Sequence, residues 1–297
     1  MPSSTFSYTS ADGTQIAAYR WDPAGEPRAL RGAVQLTHGM GQHARRYEHV
    51  GRALNEAGFV VYAQDHRGHG ASADPDALGD LGKGSWPGLV DDIGLLSARI
   101  RAEHPGLPLI LLGHSMGSFA VQQYLFDHSA AVDGVVLTGT AAIDLLEAAL
   151  DLDQPIDLSA FNAPFQPART DYDWLSRDEA IVDAYVADPR CGFGIDTSSA
   201  RAMFGGARRG TDPAQVAAIR PGLPVYIAVG EADPVNAGLA LLSPLTERYE
   251  AAGLTDVTIR TYPDARHEIL NETNRDEVIA ELRSWLDRVV TGASTAG

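Results

Sequence analysis

The 297-residue chain has a single cysteine, Cys191, so an intrachain disulfide is excluded, and with it CxxC redox chemistry and thiolate metal clusters. Lysine is almost absent: Lys83 stands alone, and the preference for arginine is read as compositional bias. The nine histidines show no HExxH spacing. Basic residues are outnumbered, 23 Lys and Arg against 39 Asp and Glu, a net charge of −16. That argues against a nucleic-acid binder and against a polybasic anchor on anionic lipid. No apolar run reaches eighteen residues, and Met1–Ser10 is polar with no basic region before an apolar stretch. A cytoplasmic protein is expected, with no signal peptide and no transmembrane segment.

What the chain does have is a core. Apolar residues make up 44% of it, and short apolar runs alternate with helical patterns, as in an α/β fold with a mostly parallel sheet. Phe6–Tyr8 and Ile16–Trp21 flank Asp12-Gly13, a hairpin signal. A buried strand is expected at Ala33–Thr37, and further strands at Phe59–Gln64, Leu109–Leu112, Val135–Thr138, Val225–Val229 and Val257–Tyr262. Tyr47, Val50 and Leu54 lie at helical spacing before Gly58, and Leu89, Ile93, Leu96 and Ile100 form a second helical face. A helix from Phe119 to Phe126 follows the strand Leu109–Leu112. A final helix carries Val278, Leu282, Trp285 and Val289 on one face, opened by a weak capping box at Thr273–Asp276. Thr291–Gly297 reads as a disordered small-residue tail.

The rhythm breaks between residues 141 and 215, where helices and loops replace strands. This stretch carries thirteen carboxylates against six arginines, a net of −7. Either it is a solvated helical outgrowth, or it is a lid over a site at the strand C-termini, where open α/β sheets bind ligands. The expected organisation is a core of residues 1–140, a helical lid of 141–215 and a second core part of 216–297.

Gly113-His114-Ser115-Met116-Gly117 is a G-x-S-x-G sequence after a strand and before a helix, the setting of a nucleophile elbow. The glycines are needed because the turn is too tight for side chains, and the strained serine is pushed out over the sheet edge. A serine needs a base. His267, in the loop after the last strand, is the candidate. His114 adjoins the serine but points elsewhere, and His38, His66 and His69 are weaker. The orienting acid is Asp233, followed by Pro234, with Glu231 and Asp144 as competitors. Two backbone N–H groups are wanted for the oxyanion. Met116 follows the nucleophile, and Met40 lies in His38-Gly39-Met40-Gly41 after the first buried strand. Gln64–Gly70 reads as a structural turn bracing the site.

Taken together, Thr37–His43, Asp65–Ser72, Gly113–Gly117 and His267-Glu268-Ile269 resemble the monoacylglycerol lipase and lysophospholipase branch of the α/β-hydrolases. The resemblance implies an eight-stranded, mostly parallel sheet flanked by helices, with a helical lid insertion. It also implies a serine hydrolase acting through Ser115, Asp233 and His267, with Met40 and Met116 as oxyanion donors. The implied substrate is an acyl ester such as a monoacylglycerol or lysophospholipid, met in at most transient contact with lipid interfaces. No metal or cofactor is implied. Lipases of this kind often carry a glutamate where this chain has Gln42, which is therefore the candidate substrate-binding residue, hydrogen bonding without charge. Ile143, Leu145, Leu146, Leu150, Phe161 and Phe165 line an acyl tunnel or else form the lid's own core. Three rivals stand beside the lipase reading: an amidase or aminopeptidase on the same triad, a small-ester esterase, and a nonenzymatic ligand receptor. An epoxide hydrolase or haloalkane dehalogenase needs a carboxylate at the elbow, and Ser115 excludes both.

Overall fold

The structure is a computed structural model that describes residues 1–24 and 29–295. Eight strands form one sheet: β1 (Ser4–Thr9), β2 (Gln15–Trp21), β3 (Gly32–Thr37), β4 (Phe59–Gln64), β5 (Leu109–His114), β6 (Gly134–Thr138), β7 (Val225–Gly230) and β8 (Val257–Tyr262). Their spatial order is β1-β2-β4-β3-β5-β6-β7-β8. β1 pairs antiparallel with β2, and β2 with β4; every other pairing is parallel. The sheet is that of an α/β-hydrolase. β3 to β7 are buried along their whole length, as their near-continuous apolar sequences require in a sheet covered on both faces. β1 and β8, at the two edges, keep exposed residues.

The helices are α1 (Glu48–Glu56), α2 (Ser85–Glu103), α3 (Met116–His128), α4 (Glu179–Ala187), α5 (Thr197–Ala207), α6 (Pro213–Ala217), α7 (Leu242–Ala251) and α8 (Arg275–Thr295). Strand alternation sorts side chains between the two layers. Val34, Leu36, Ile110 and Leu112 pack with Val50 and Leu54 of α1 and Leu282 and Trp285 of α8. Leu109, Leu111, Val135 and Leu137 pack on the other face with Leu89 and Ile93 of α2 and Ala120 and Tyr124 of α3. Gly58, at φ +90°, ends the first helix where the sequence places it.

Two expectations at the C-terminal helix are corrected. Thr291–Thr295 is not a disordered tail; α8 runs through to Thr295, and the Thr291 hydroxyl donates to the Asp287 carbonyl at 2.7 Å. Small residues without a proline do not stop a helix that an apolar face already anchors. Ala296 and Gly297 lie outside the described residues. The start of α8 is also shifted: the Asn274 carbonyl accepts from the Glu277 and Val278 N–H groups, and its amide donates to Glu277, while Thr273 turns to Glu272. The sequence pattern does not single out α7. Among the described residues no helix is long and apolar enough to cross a membrane.

The turn after β4 braces this end of the sheet. Arg67 is buried and bonds Asp92 of α2 at 2.9 Å, Asp12 of the first hairpin at 2.9 Å and Ser10 at 2.8 Å. Asp65 accepts from the Tyr19 hydroxyl and the Ala44 and Ala71 N–H groups, tying the loops after β3 and β4 together. Truncating one partner of such a pair leaves a buried charge unmatched. Arg67→Met should therefore lower stability by about 3–5 kcal/mol, read as a fall in the urea midpoint. A midpoint unchanged from wild type would show that the pair is not load-sharing.

Candidate active site

Ser115 sits between β5 and α3 with φ +53° and ψ −124°, a conformation that costs a non-glycine residue about 1–3 kcal/mol. Three bonds hold it there. Its N–H donates to the Thr138 carbonyl at 2.9 Å, and its own carbonyl accepts from Phe119 N at 3.0 Å and the Ser118 hydroxyl at 2.7 Å. The flanking glycines are needed for close approach. A Cβ on Gly117 would lie 2.4 Å from the Thr37 carbonyl oxygen, and one on Gly113 would lie 2.7 Å from Ser118 Cα. Met116 opens α3, so its N–H lacks an intrahelical acceptor. Met40 arrives on the loop after β3, and Gly39 packs so closely that a Cβ there would lie 3.0 Å from Ser115 Cβ.

Asp233, after β7, and His267, after β8, are both buried, and His267 Nδ1 lies 2.9 Å from Asp233 Oδ2. The second carboxylate oxygen accepts from Val235 N at 2.8 Å. The two loops cross at contact distance: a Cβ on Gly230 would lie 2.1 Å from the Ala265 carbonyl oxygen. The competing acids are elsewhere. Glu231 accepts from the Thr261 hydroxyl on the surface, and Asp144 forms a two-bond ion pair with Arg248 at 2.7 and 2.8 Å. His267 Nε2 is buried without a hydrogen-bond partner among the described residues. Its ring lies between two others, with centroids 4.9 Å from Trp174 and 4.9 Å from His114.

His114 is buried with its Nδ1 3.0 Å from the Thr138 hydroxyl and its ring against that of His267. His38, His66 and His69 are stacked and buried behind the loop after β3, with His38 Nε2 accepting from His66 N at 3.0 Å. Burial, and the neighbouring histidines, push His38 and His69 down to about 3 and His66 and His114 well below the usual imidazole value. Gln42 is buried at the back of the same loop. Its amide donates to Glu268 at 3.3 Å and its oxygen accepts from Arg46 at 3.0 Å. Arg46 also pairs with both oxygens of Glu268, the residue beside His267.

A pocket of about 420 Å³, part of it open to solvent, lies over Ser115. Met40 and Met116 line it, as do Ile143, Leu146, Leu150 and Phe161 of the six apolar residues expected there. Leu145 is instead exposed, and Phe165 lies under the Arg266 guanidinium. Sequence reasoning missed Trp174, which lies in a stretch with no periodicity to give it away. It lines the cavity, and its carbonyl accepts from His267 N at 3.3 Å. Metal-ligand types meet in one group among the described residues, His43, Asp188 and Cys191, with donor atoms within 4.8 Å. Asp188 is already bonded to His43 and Arg190, and burial pushes the Cys191 thiol up to about 12. Those partners and the nearby guanidiniums oppose a cation there.

A strained serine after a central strand, a buried aspartate–histidine pair and an apolar cavity define a serine hydrolase on an α/β-hydrolase sheet. Comparison agrees. Residues 28–274 match the family described as serine aminopeptidase, S33. A monoacylglycerol lipase of Mycolicibacterium smegmatis is 34% identical across 95% of this chain and 96% of its own. A human monoglyceride lipase is 27% identical across 97% of this chain and 91% of its own. Among solved structures, a thermostable carboxyl esterase of Bacillus coagulans in complex with glycerol superposes with a TM-score of 0.83, at 30% identity over 98% of this chain and 99% of that one. The chain belongs to the S33 family, in the monoglyceride lipase branch of the α/β-hydrolases, and is a carboxylic ester hydrolase.

The buried histidines give the site a pH signature. A group whose folded-state pKa is depressed contributes stability above its unfolded pKa and loses it as pH falls toward the folded value. For His38 and His69 that window runs from about 6.5 down to about 3. Well inside it, each such histidine costs about 1.4 kcal/mol per pH unit. Urea midpoints should therefore drop steeply between pH 7 and pH 5, and a flat profile over that range would contradict neutral burial.

Proposed function

We propose that the protein hydrolyses esters of single-chain acyl groups, of monoacylglycerol or lysophospholipid type, through an acyl-Ser115 intermediate. Ser115 Oγ attacks the carbonyl carbon while His267 Nε2 takes its proton. Asp233 fixes the His267 tautomer through Nδ1 and stabilises the imidazolium. The Met40 and Met116 N–H groups receive the negative charge that develops on the carbonyl oxygen. The tetrahedral intermediate expels the alcohol, protonated by His267, and water activated by the same histidine releases the fatty acid. Gln42 serves the alcohol end of the site as a brace, joining the Met40 loop to Glu268 beside the histidine.

The observation that carries this reading is the cavity. Nine of its fourteen lining residues come from the inserted stretch, and all nine are apolar. We therefore assign residues 141–215 as a lid over a core of residues 1–140 and 216–297. The family's description names an aminopeptidase, but among the described residues no carboxylate lines the cavity to meet a free amine. That favours the ester.

A fluorophosphonate should label one residue, Ser115, and Ser115→Ala should lower kcat by about 10⁴–10⁶ with the fold intact. Asp233→Asn should lose about 10³–10⁴, while Glu231→Gln costs far less. Labelling at another serine would falsify the assignment.

Substrate length tests the lid. Each buried CH₂ contributes about 0.8 kcal/mol, so kcat/KM should rise roughly fourfold per CH₂ until the cavity is full. The series is to be assayed below the micelle concentration, beside an amino-acid arylamide. A profile that peaks at acetate would leave a small-ester esterase, and faster cleavage of the arylamide would leave an amidase. The lid's net charge of −7 opposes docking on anionic bilayers, so phosphatidylserine vesicles should not activate the enzyme.

A further inference from the structure

Two side chains of the pocket over Ser115 also wall a second one. Phe119 and Ile143 line both that pocket and a neighbouring pocket of about 380 Å³, part of it open to solvent. The two spaces follow one face of α3. Phe119 lies one turn beyond Ser115, whose carbonyl accepts its N–H at 3.0 Å. Gln122, Gln123 and Phe126 of the second pocket stand three, four and seven residues further on, on the same side of the helix. At 1.5 Å per residue the second pocket continues for roughly 10 Å of helix beyond Phe119. Phe126, Val216 and Leu245 give it apolar walls. Its amides and charges are already bonded: Gln122 donates to the Thr140 hydroxyl and the Ala141 carbonyl, Gln123 joins Trp86 to the Met203 carbonyl, and Asp144 and Arg248 bond each other. Of its polar side chains only the uncharged Tyr249 hydroxyl lacks a partner among the described residues. What this space offers a ligand is chiefly apolar area.

The chemistry fixes which half of an ester faces this wall. In the acyl-enzyme the acyl carbon is bonded to Ser115, while the alcohol departs past His267. Phe119 is on the serine's own helix, and with Ile143 it carries no polar atom in its side chain, so packing alone separates the two spaces. We propose that Phe119, backed by Ile143, sets the acyl-chain limit of the enzyme. Its ring closes the acyl pocket one helical turn from the nucleophile, and the second pocket is the extension that the ring withholds. This rests on the acyl-Ser115 reading above and deepens it by naming what decides which chain lengths are taken.

The test is the kcat/KM profile of a series of straight-chain acyl esters lengthened two carbons at a time, each held below its micelle concentration, on wild type and on Phe119→Ala. Wild type should rise to a limit and then fall. In Phe119→Ala the limit should move to longer chains, and the ratio of the first ester past the wild-type limit to the ester at that limit should grow by about 10-fold. A general loss of activity leaves that ratio unchanged. Gly210→Leu, added to Phe119→Ala, tests the second pocket itself. A Cβ at Gly210 would stand 3.6 Å from Phe126 Cζ and 3.8 Å from Arg248 Nη1, so the new side chain occupies that space and should draw the limit back toward wild type. Fluorophosphonate labelling of Ser115 reports folding, and if Phe119→Ala takes no label, the smaller truncation Phe119→Leu carries the same comparison. A limit that truncating Phe119 leaves unmoved overturns the inference. So does an extended limit that Gly210→Leu does not draw back, and so does a wild-type profile with no limit. A wild type that takes the label at Ser115 but cleaves no ester of the series overturns the acyl-ester reading itself.

Discussion

Everything catalytic here depends on two backbones crossing at contact distance. The β5–α3 turn lies so close to the end of β3 that the Thr37 and His38 carbonyl oxygens occupy the space a Gly117 side chain would need, at 2.4 and 2.6 Å from its Cβ. That crossing fixes Ser115 at positive φ and leaves the Met116 N–H at the open end of a helix. It also brings the Met40 loop alongside the serine. The strain at Ser115 persists because the surrounding sheet is buried on both faces and over-determines the turn. Sheet, elbow and the Met40 loop are one packing problem, and the glycines are its solution.

The histidine is positioned by a different means. Trp174 and Leu175, deep in the inserted stretch, accept hydrogen bonds from the backbone N–H groups of His267 and Glu268. The Ser176 hydroxyl donates to the Asn271 carbonyl, and Arg177 bonds the buried Glu272 through both its backbone N–H and its guanidinium. This part of the insertion is thus fastened to the loop that carries His267, the proposed general base. The neighbouring cavity residues Leu146 and Leu150 lie in or beside short 3-10 turns that, among the described residues, have no comparable anchorage to that loop. One insertion thus both walls the cavity and holds the His267 loop, so under the proposed mechanism it would couple substrate enclosure to the placement of the base.

Sequence reading was good where periodicity or a tight turn speaks, and poor where neither does. The six expected strands appear, and five of them, β3 to β7, are legible because a parallel strand covered on both faces must be a short apolar run, while β8 at the edge keeps exposed residues. The serine was legible from Gly113 and Gly117, which have no other use at that spacing. The pairing of His267 with Asp233 was not decidable against Glu231 by spacing alone, because both acids follow the same strand. What separates them is the crossing at Gly230, which turns Asp233 inward and leaves Glu231 on the surface. Trp174 was invisible because its role comes from contacts with residues about ninety positions away in the chain, in a segment held by 3-10 turns and side-chain bonds. The tail failed for the opposite reason. Small residues were read as disorder, although the apolar face of α8 carries the helix into them.

The scarcity of lysine takes on physical meaning in the same neighbourhood. Several carboxylates lie around the histidine loop, and each would add its charge to the field at the imidazole. Glu268 is met by Arg46 and Glu272 by Arg177. A guanidinium can engage both carboxylate oxygens in one plane, as Arg46 and Arg248 do, where an ammonium is a point charge. Among the described residues Asp233 is met by no arginine. Its bonds go to the Val235 N–H and to His267. The arginines thus satisfy the carboxylates that hold the loop in place, and leave to the His267 imidazole the one aspartate that is bonded to it.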